Sequence, residues 1–165
     1  MRLDERALHD AEHYPVEAWD WIIDLNLRSQ FLVSRAAARA MIAAGRGGRI
    51  LNLSSVRGQL GVRLGYSAYV AAKGAMNALT RQHATEWARH GITVNAIAPT
   101  FVRTPQVESL LADDAFRESL VARIPLGRIA EPDDVVGAVL FFCSDASSFV
   151  TGQVLTLDGG LTATQ

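Results

Sequence analysis

The sequence has 165 residues, 49% of them hydrophobic and 20% charged, and a formal net charge of −1. That is the size of one ordinary globular domain, with too much apolar content and too little net charge for a disordered chain. The 16 basic residues are matched by 17 acidic ones, which leaves no basic field for nucleic acid, and no stretch reaches the ~18 consecutive apolar residues of a membrane span.

Residues 1–15 are polar and carry no strong period. They lack the apolar core of a secretory leader, so a soluble cytoplasmic protein is the default. His9-Asp10-Ala11-Glu12-His13 fits a zinc-protease spacing. Pro15 cuts off the helix such a site needs, and the segment reads as a solvated loop. A long helical pattern runs from Pro15 through Ala44, with Trp19, Ile22, Ile23, Asn26, Leu27 and Gln30 near one stripe, until the glycines within 45–48 stop it. Residues 49–54 are a short, nearly continuous apolar run and predict a buried parallel strand. A loop punctuated by Gly58, Gly61 and Gly65 leads to a second long helix over about 68–90, ended by Gly91.

Residues 92–97 predict the next buried strand, closed by Ala98-Pro99, and 101–130 read as a loop with one short helix. Glu131-Pro132-Asp133-Asp134 is a good helix start, since proline suits the first helical position and acids suit the positive helix end. That helix is expected to run to about Cys143, the single cysteine, which permits no internal disulfide and reads as a small buried hydrophobe. Residues 153–157 form the last predicted strand, and Asp158-Gly159-Gly160 turns away. Helices alternating with apolar strands predict an α/β protein with a parallel sheet, spanning residues 1–165 as one unit.

The chemistry-bearing pattern is Ser55 followed by Tyr69-Val70-Ala71-Ala72-Lys73. Positions i and i+4 of a helix share a face, with Cβ atoms about 5–6 Å apart. A phenol with a free pKa near 10 is a poor base at neutral pH, and an ammonium one turn away stabilises its phenolate. A serine hydroxyl at the end of the adjacent strand can reach the same oxygen. These three groups can move a proton while a hydride moves separately. Of the 16 basic residues 15 are arginine, and the one lysine is Lys73, placed where a compact point charge rather than a planar fork is wanted.

Residues 50–55, Tyr69 to Lys73 and residues 92–99 resemble the short-chain dehydrogenase/reductase family. So do Gly127-Arg128, Glu131-Pro132-Asp133-Asp134-Val135, Ser144-Asp145, Val150-Thr151-Gly152-Gln153 and Asp158-Gly159-Gly160, in order from Ala18 onward. The resemblance implies a Rossmann-like, doubly wound parallel sheet and an oxidoreductase using NAD or NADP on a small carbonyl or alcohol substrate. Sugar-acid or polyol substrates and 3-oxoacyl thioesters are both compatible with it. It further implies that Ser55 orients the substrate carbonyl and that Tyr69 is the acid/base. Lys73 lowers the tyrosine pKa and binds the nicotinamide ribose, and Asn26 holds a proton-relay water. Pro99, Val102 and Thr104 would contact the nicotinamide end, with Thr100 standing where the family has glycine. Residues 105–125 correspond to a mobile substrate lid, and the two long helices to the interface of a homo-oligomer, a dimer or tetramer.

No Gly-rich turn between a first strand and a first helix occurs in the sequence, although dinucleotide binding uses one to bring backbone close to the pyrophosphate. The fold is therefore expected to be incomplete, the N-terminal βαβ units being absent and the chain a truncated form of a longer enzyme. The alternative expectation is a non-catalytic remnant that acts only as an oligomer partner.

Overall fold

Gly48–Leu53 (β1) and Ile92–Pro99 (β2) are rich in aliphatic residues that pair as neighbours in a parallel sheet, with Gly48 opposite Ile92 and Leu53 opposite Ile97. Val154–Leu157 (β3) joins the other side of β2, also parallel, with Ala96 opposite Val154 and Pro99 opposite Leu157. The order β1-β2-β3 makes β2 central, and its residues 94–98 are all buried, as expected of a strand covered on both faces. The computed structural model describes residues 9–63 and 65–164. Within them the fold is the α/β, parallel, partial Rossmann-like arrangement that the sequence predicts.

The first long helical pattern is not one helix. Val16–Ile23 (α1) and Ser29–Ala44 (α2) are joined by a π-helical turn over Asp24–Arg28. The backbone N–H of Ser29 reaches back to the carbonyl of Asp24, five residues away. Two side chains take over neighbouring carbonyls: Asn26 Nδ2 donates to Ile22 O at 3.1 Å and Ser29 Oγ donates to Leu25 O at 2.5 Å. Such back-bonding widens a helix locally, which periodicity alone does not register. Ser67–Trp87 (α3) follows the loop after β1 and ends in a short 3-10 turn closed by Gly91 at φ +69°.

Helices α2 and α3 bring Ala38 and Ala84 onto Ile50, Ile92 and Val94, the principal core, with Met41 and Trp87 at its margin. His83 is buried there as a packing residue, its ring stacked on Trp87 at 4.2 Å. Where one short helix was expected within 101–130 there are two, Glu108–Leu111 (α4) and Asp114–Val121 (α5). They enclose a small core of their own, Leu111, Leu120, Ile124 and Ile129. Asp113 caps α5 by accepting from Phe116 N–H at 3.1 Å.

Asp133–Phe142 (α6) starts one residue later than expected, with Asp134 accepting from Glu131 N–H and from Arg128 in a two-pronged ion pair of 2.6 and 2.8 Å. Cys143 is exposed, contrary to expectation. Of the last residues of α6 only Phe142 faces inward; Leu140 is 63% exposed and Phe141 is also outward, so the apolar run is not a uniformly buried one. No described helix is long and apolar enough to cross a membrane.

Two buried asparagines fix the register of the layers. Asn52 on β1 accepts from Ser34 of α2 at 3.1 Å and donates to Thr80 of α3 at 3.0 Å. Asn95, 1% exposed on β2, donates to Val150 O at 2.8 Å and accepts from Gln153 N–H at 3.0 Å, setting the entry of β3. Asn95→Leu keeps the branching at a larger volume and leaves both backbone groups unpaired. It is expected to lower unfolding stability by about 2–4 kcal/mol, read from the urea midpoint.

Candidate active site

The carboxyl end of β1 delivers two consecutive serines to the crevice end of the parallel sheet, the usual ligand side of such folds. They diverge. Ser54 turns inward and donates to Asn77 Oδ1 at 2.5 Å. Ser55 caps the single turn Val56–Gly58, accepting from Arg57 N–H at 3.1 Å, and its hydroxyl pulls the Tyr69 pKa down. Gly58 allows this turn to lie on α3, since a Cβ there would sit 2.7 Å from the carbonyl of Lys73.

Tyr69 and Lys73 lie one turn apart near the start of α3. Ala68 and Ala72, both fully buried, let that turn approach its neighbours. The Tyr69 ring packs against Ile22 and Ala68. The Lys73 ammonium donates to the Leu53 carbonyl at 2.9 Å and lies 5.5 Å from the centre of the Tyr69 ring.

Burial raises the Tyr69 pKa above its ordinary value, and the hydrogen bond to Ser55 and the Arg57 charge pull the other way without reversing it. The expected lowering by Lys73 is therefore not seen: the phenol is desolvated, and the lysine proton is directed at a backbone carbonyl. Burial lowers Lys73 itself to about 8. Both charged forms are disfavoured by their surroundings, so the site is dry enough for a charge placed in it to be felt strongly.

Asn26 sits in the π turn with its amide bonded to its own helix, and its backbone carbonyl accepts from Gln30 Nε2 at 3.1 Å. Gln30 in turn bonds β1 twice, donating to Leu53 O at 3.2 Å and accepting from Leu53 N–H at 3.2 Å. Asn26, Gln30, Leu53 and Lys73 thus form one chain of contacts. Pro99 ends β2, and Thr100 N–H continues the sheet pairing to Leu157 O at 3.1 Å. No described residue other than glycine has positive φ, so Thr100 stands in the family's glycine position without backbone strain. Val102 bridges Ala130 through the bond from Arg103 N–H to Ala130 O, which leaves its own N–H out of that bond. The Thr104 carbonyl accepts from Val107 N–H at 3.0 Å, and its side chain is half-buried.

Two residues near the site were not singled out by sequence. Gln30 could have been found as the residue one helical turn beyond Asn26. Arg57 could have been found as the arginine two residues beyond Ser55. Among the described residues no group of three His, Cys, Asp or Glu side chains could hold a metal.

A parallel α/β sheet with a serine, a tyrosine and a lysine gathered at its carboxyl end defines an oxidoreductase-like class of protein. A family model described as enoyl-(acyl carrier protein) reductase matches residues 4–162, and the chain belongs to the short-chain dehydrogenase/reductase family. It is 51% identical over 152 residues to an uncharacterised oxidoreductase of Mycobacterium tuberculosis, covering 90% of this chain and 56% of that one. It is 44% identical over 151 residues to gluconate 5-dehydrogenase of Gluconobacter oxydans, covering 92% and 58%. A crystal structure of a gluconate 5-dehydrogenase from Burkholderia cenocepacia, in complex with NADP and tartrate, superimposes with a TM-score of 0.90 at 39% identity, over 96% of this chain and 61% of that one. The chain thus spans little more than half the length of these curated relatives.

The depressed Lys73 value gives a stability signature. Between about 8 and the ordinary 10.5 the unfolded chain holds a proton that the folded chain has released, so stability rises with pH across that window. The rise has a slope of up to about 1.4 kcal/mol per pH unit. Lys73→Met is expected to remove it, so that urea midpoints measured from pH 7.5 to 10 climb in the parent and climb less in the variant.

Proposed function

We propose that this chain is the catalytic part of an NAD(P)-dependent oxidoreductase that interconverts a secondary alcohol and a ketone. The observation that carries the reading is the buried Lys73 ammonium one helical turn from Tyr69, with the Ser55 hydroxyl acting on the Tyr69 phenol. In the oxidative direction Tyr69 takes the hydroxyl proton of the substrate, and in the reductive direction it returns a proton to the carbonyl oxygen. Ser55 hydrogen-bonds that oxygen and fixes its position. The raised Tyr69 pKa keeps the phenol protonated and ready to donate; Arg57 offsets part of the cost of the phenolate when it must accept.

Lys73 fits a ribose hydroxyl, because an ammonium has three protons and the Leu53 carbonyl accepts one. Val102, Pro99 and Thr104 are the residues that would line the nicotinamide end, and Asn26 would hold a relay water beside Lys73. When bound, the nicotinamide supplies the hydride chemistry at the carbinol carbon. The gluconate 5-dehydrogenase relatives support a sugar-acid substrate. A homo-oligomer in the cytoplasm belongs to the same reading, supported by the exposed Leu25, Leu32, Val33 and Ile42 along the π turn and α2.

The exposed Leu25, Leu32, Val33 and Ile42 also fit a second reading, a non-catalytic oligomer partner. Titration with NADH and NADPH, followed by nicotinamide fluorescence, separates the two. Saturable binding is expected, with Tyr69→Phe keeping the affinity and losing about 10²-fold or more in turnover of D-gluconate. Absence of affinity for either nucleotide would overturn the enzyme reading in favour of the partner.

A further inference from the structure

We infer that Arg57, assisted by Arg123, is the recognition group for a carboxylate on the substrate, so that the site takes a hydroxy or oxo acid rather than a neutral polyol. This deepens the oxidoreductase reading and rests on it for the identity of the reacting oxygen. Three described arginines are half-buried: Arg49, Arg57 and Arg117. Arg49 pairs with Asp145 at 2.9 Å, and Arg117 with Asp114 at 2.7 Å. Arg57 pairs with no carboxylate among the described residues. One of its nitrogens donates to the Gly61 carbonyl at 3.1 Å, which steadies the guanidinium and leaves most of its five donors for a ligand.

The charged and titratable groups that Arg57 feels most are Arg123, Tyr66 and Tyr69, and burial together with Arg123 makes its charge costly. A guanidinium does not relieve that cost by losing its proton at ordinary pH. Two like charges near one another, one of them half-buried, are stabilised when an anion comes between them. Arg123 likewise pairs with no described carboxylate; it follows α5 and precedes the buried Ile124, which anchors it. The position of Arg57 adds the second constraint. It lies two residues beyond Ser55, its backbone N–H is bonded to the Ser55 hydroxyl, and the Tyr66 and Tyr69 phenols are among the groups that act on its charge. A planar fork there matches a carboxylate in two-pronged fashion, which a primary alcohol at the same place on the substrate does not satisfy. A thioester carries no charge at that place either.

Calorimetric titration of the full 165-residue chain with D-gluconate and with D-glucitol tests this, since the two differ at the carboxylate. Gluconate is expected to bind at least about 10-fold more tightly. Arg57→Gln is expected to weaken gluconate by about 10- to 100-fold and leave glucitol unchanged, with Arg57→Lys intermediate because it keeps the charge and loses the fork. Arg123→Gln, at an exposed position, is expected to cost less. Equal binding of the two ligands, gluconate binding no tighter than inorganic sulfate, or unchanged gluconate affinity in Arg57→Gln would each overturn the inference. Should Arg57→Gln fail to melt cooperatively, unchanged affinity in both Arg57→Lys and Arg123→Gln overturns it. NADH titrated into the same samples keeps the two readings apart. Gluconate discrimination without nucleotide affinity supports the arginine site while the oxidoreductase reading fails, and nucleotide affinity without discrimination does the reverse.

Discussion

The carbonyl of Leu53 is the point on which the site depends. It ends β1 and accepts from Lys73 on α3 and from Gln30 on α2. Two of the long helices are thereby referred to one atom of the sheet, and the residues that matter lie within a turn or two of that atom: Ser55 beyond it in sequence, Tyr69 one turn before Lys73, Asn26 one turn before Gln30. A buried ammonium has a large solvation cost to recover, and a carbonyl already held in a strand is a partner that does not have to be ordered on binding. Moving Leu53 O would misplace both helices at once.

Gln30 does something further at this point. Its amide both donates to and accepts from the backbone of Leu53, the pairing that a neighbouring strand would make. A glutamine side chain thereby pairs the backbone of the residue whose carbonyl also accepts from Lys73. The π turn over Asp24–Arg28 is linked to this function by geometry, because Gln30 Nε2 also bonds the backbone carbonyl of Asn26.

The strands and the catalytic helix were legible because their signals are local: aliphatic runs for β1 and β2, glycine stops at Gly45 and Gly91, and Tyr69 and Lys73 at helical spacing. The break at Asp24–Arg28 was not, because it arises from side chains competing for carbonyls inside a pattern that reads as continuous helix. Cys143 was misjudged for a related reason, since an apolar run does not say which of its residues the packing turns outward. That Ser55, Tyr69 and Lys73 lie near one strand end was legible, but their electrostatics were not. Whether Lys73 lowers Tyr69 depends on burial and on where the lysine proton points, and neither is written in the spacing.

The charges at the site are not balanced by a fixed partner. Lys73 and Arg57 are cations held away from water, Tyr69 is a phenol whose ionised form is an anion, and no described carboxylate pairs with either cation. In most protein interiors a buried cation is matched by a carboxylate, because the desolvation cost is then returned by a fixed partner. Here the matching charge is left to what arrives or develops: a phenolate, an alkoxide, or an acid group on a ligand. A fixed carboxylate beside Lys73 or Arg57 would stabilise the resting protein and would also cancel the field that makes a developing negative charge favourable. The lysine and the arginine divide that field by shape: the compact ammonium fits the helix–strand junction against the Leu53 carbonyl, and the planar fork lies in the loop beyond Ser55, in a chain whose other 15 basic residues are all arginine.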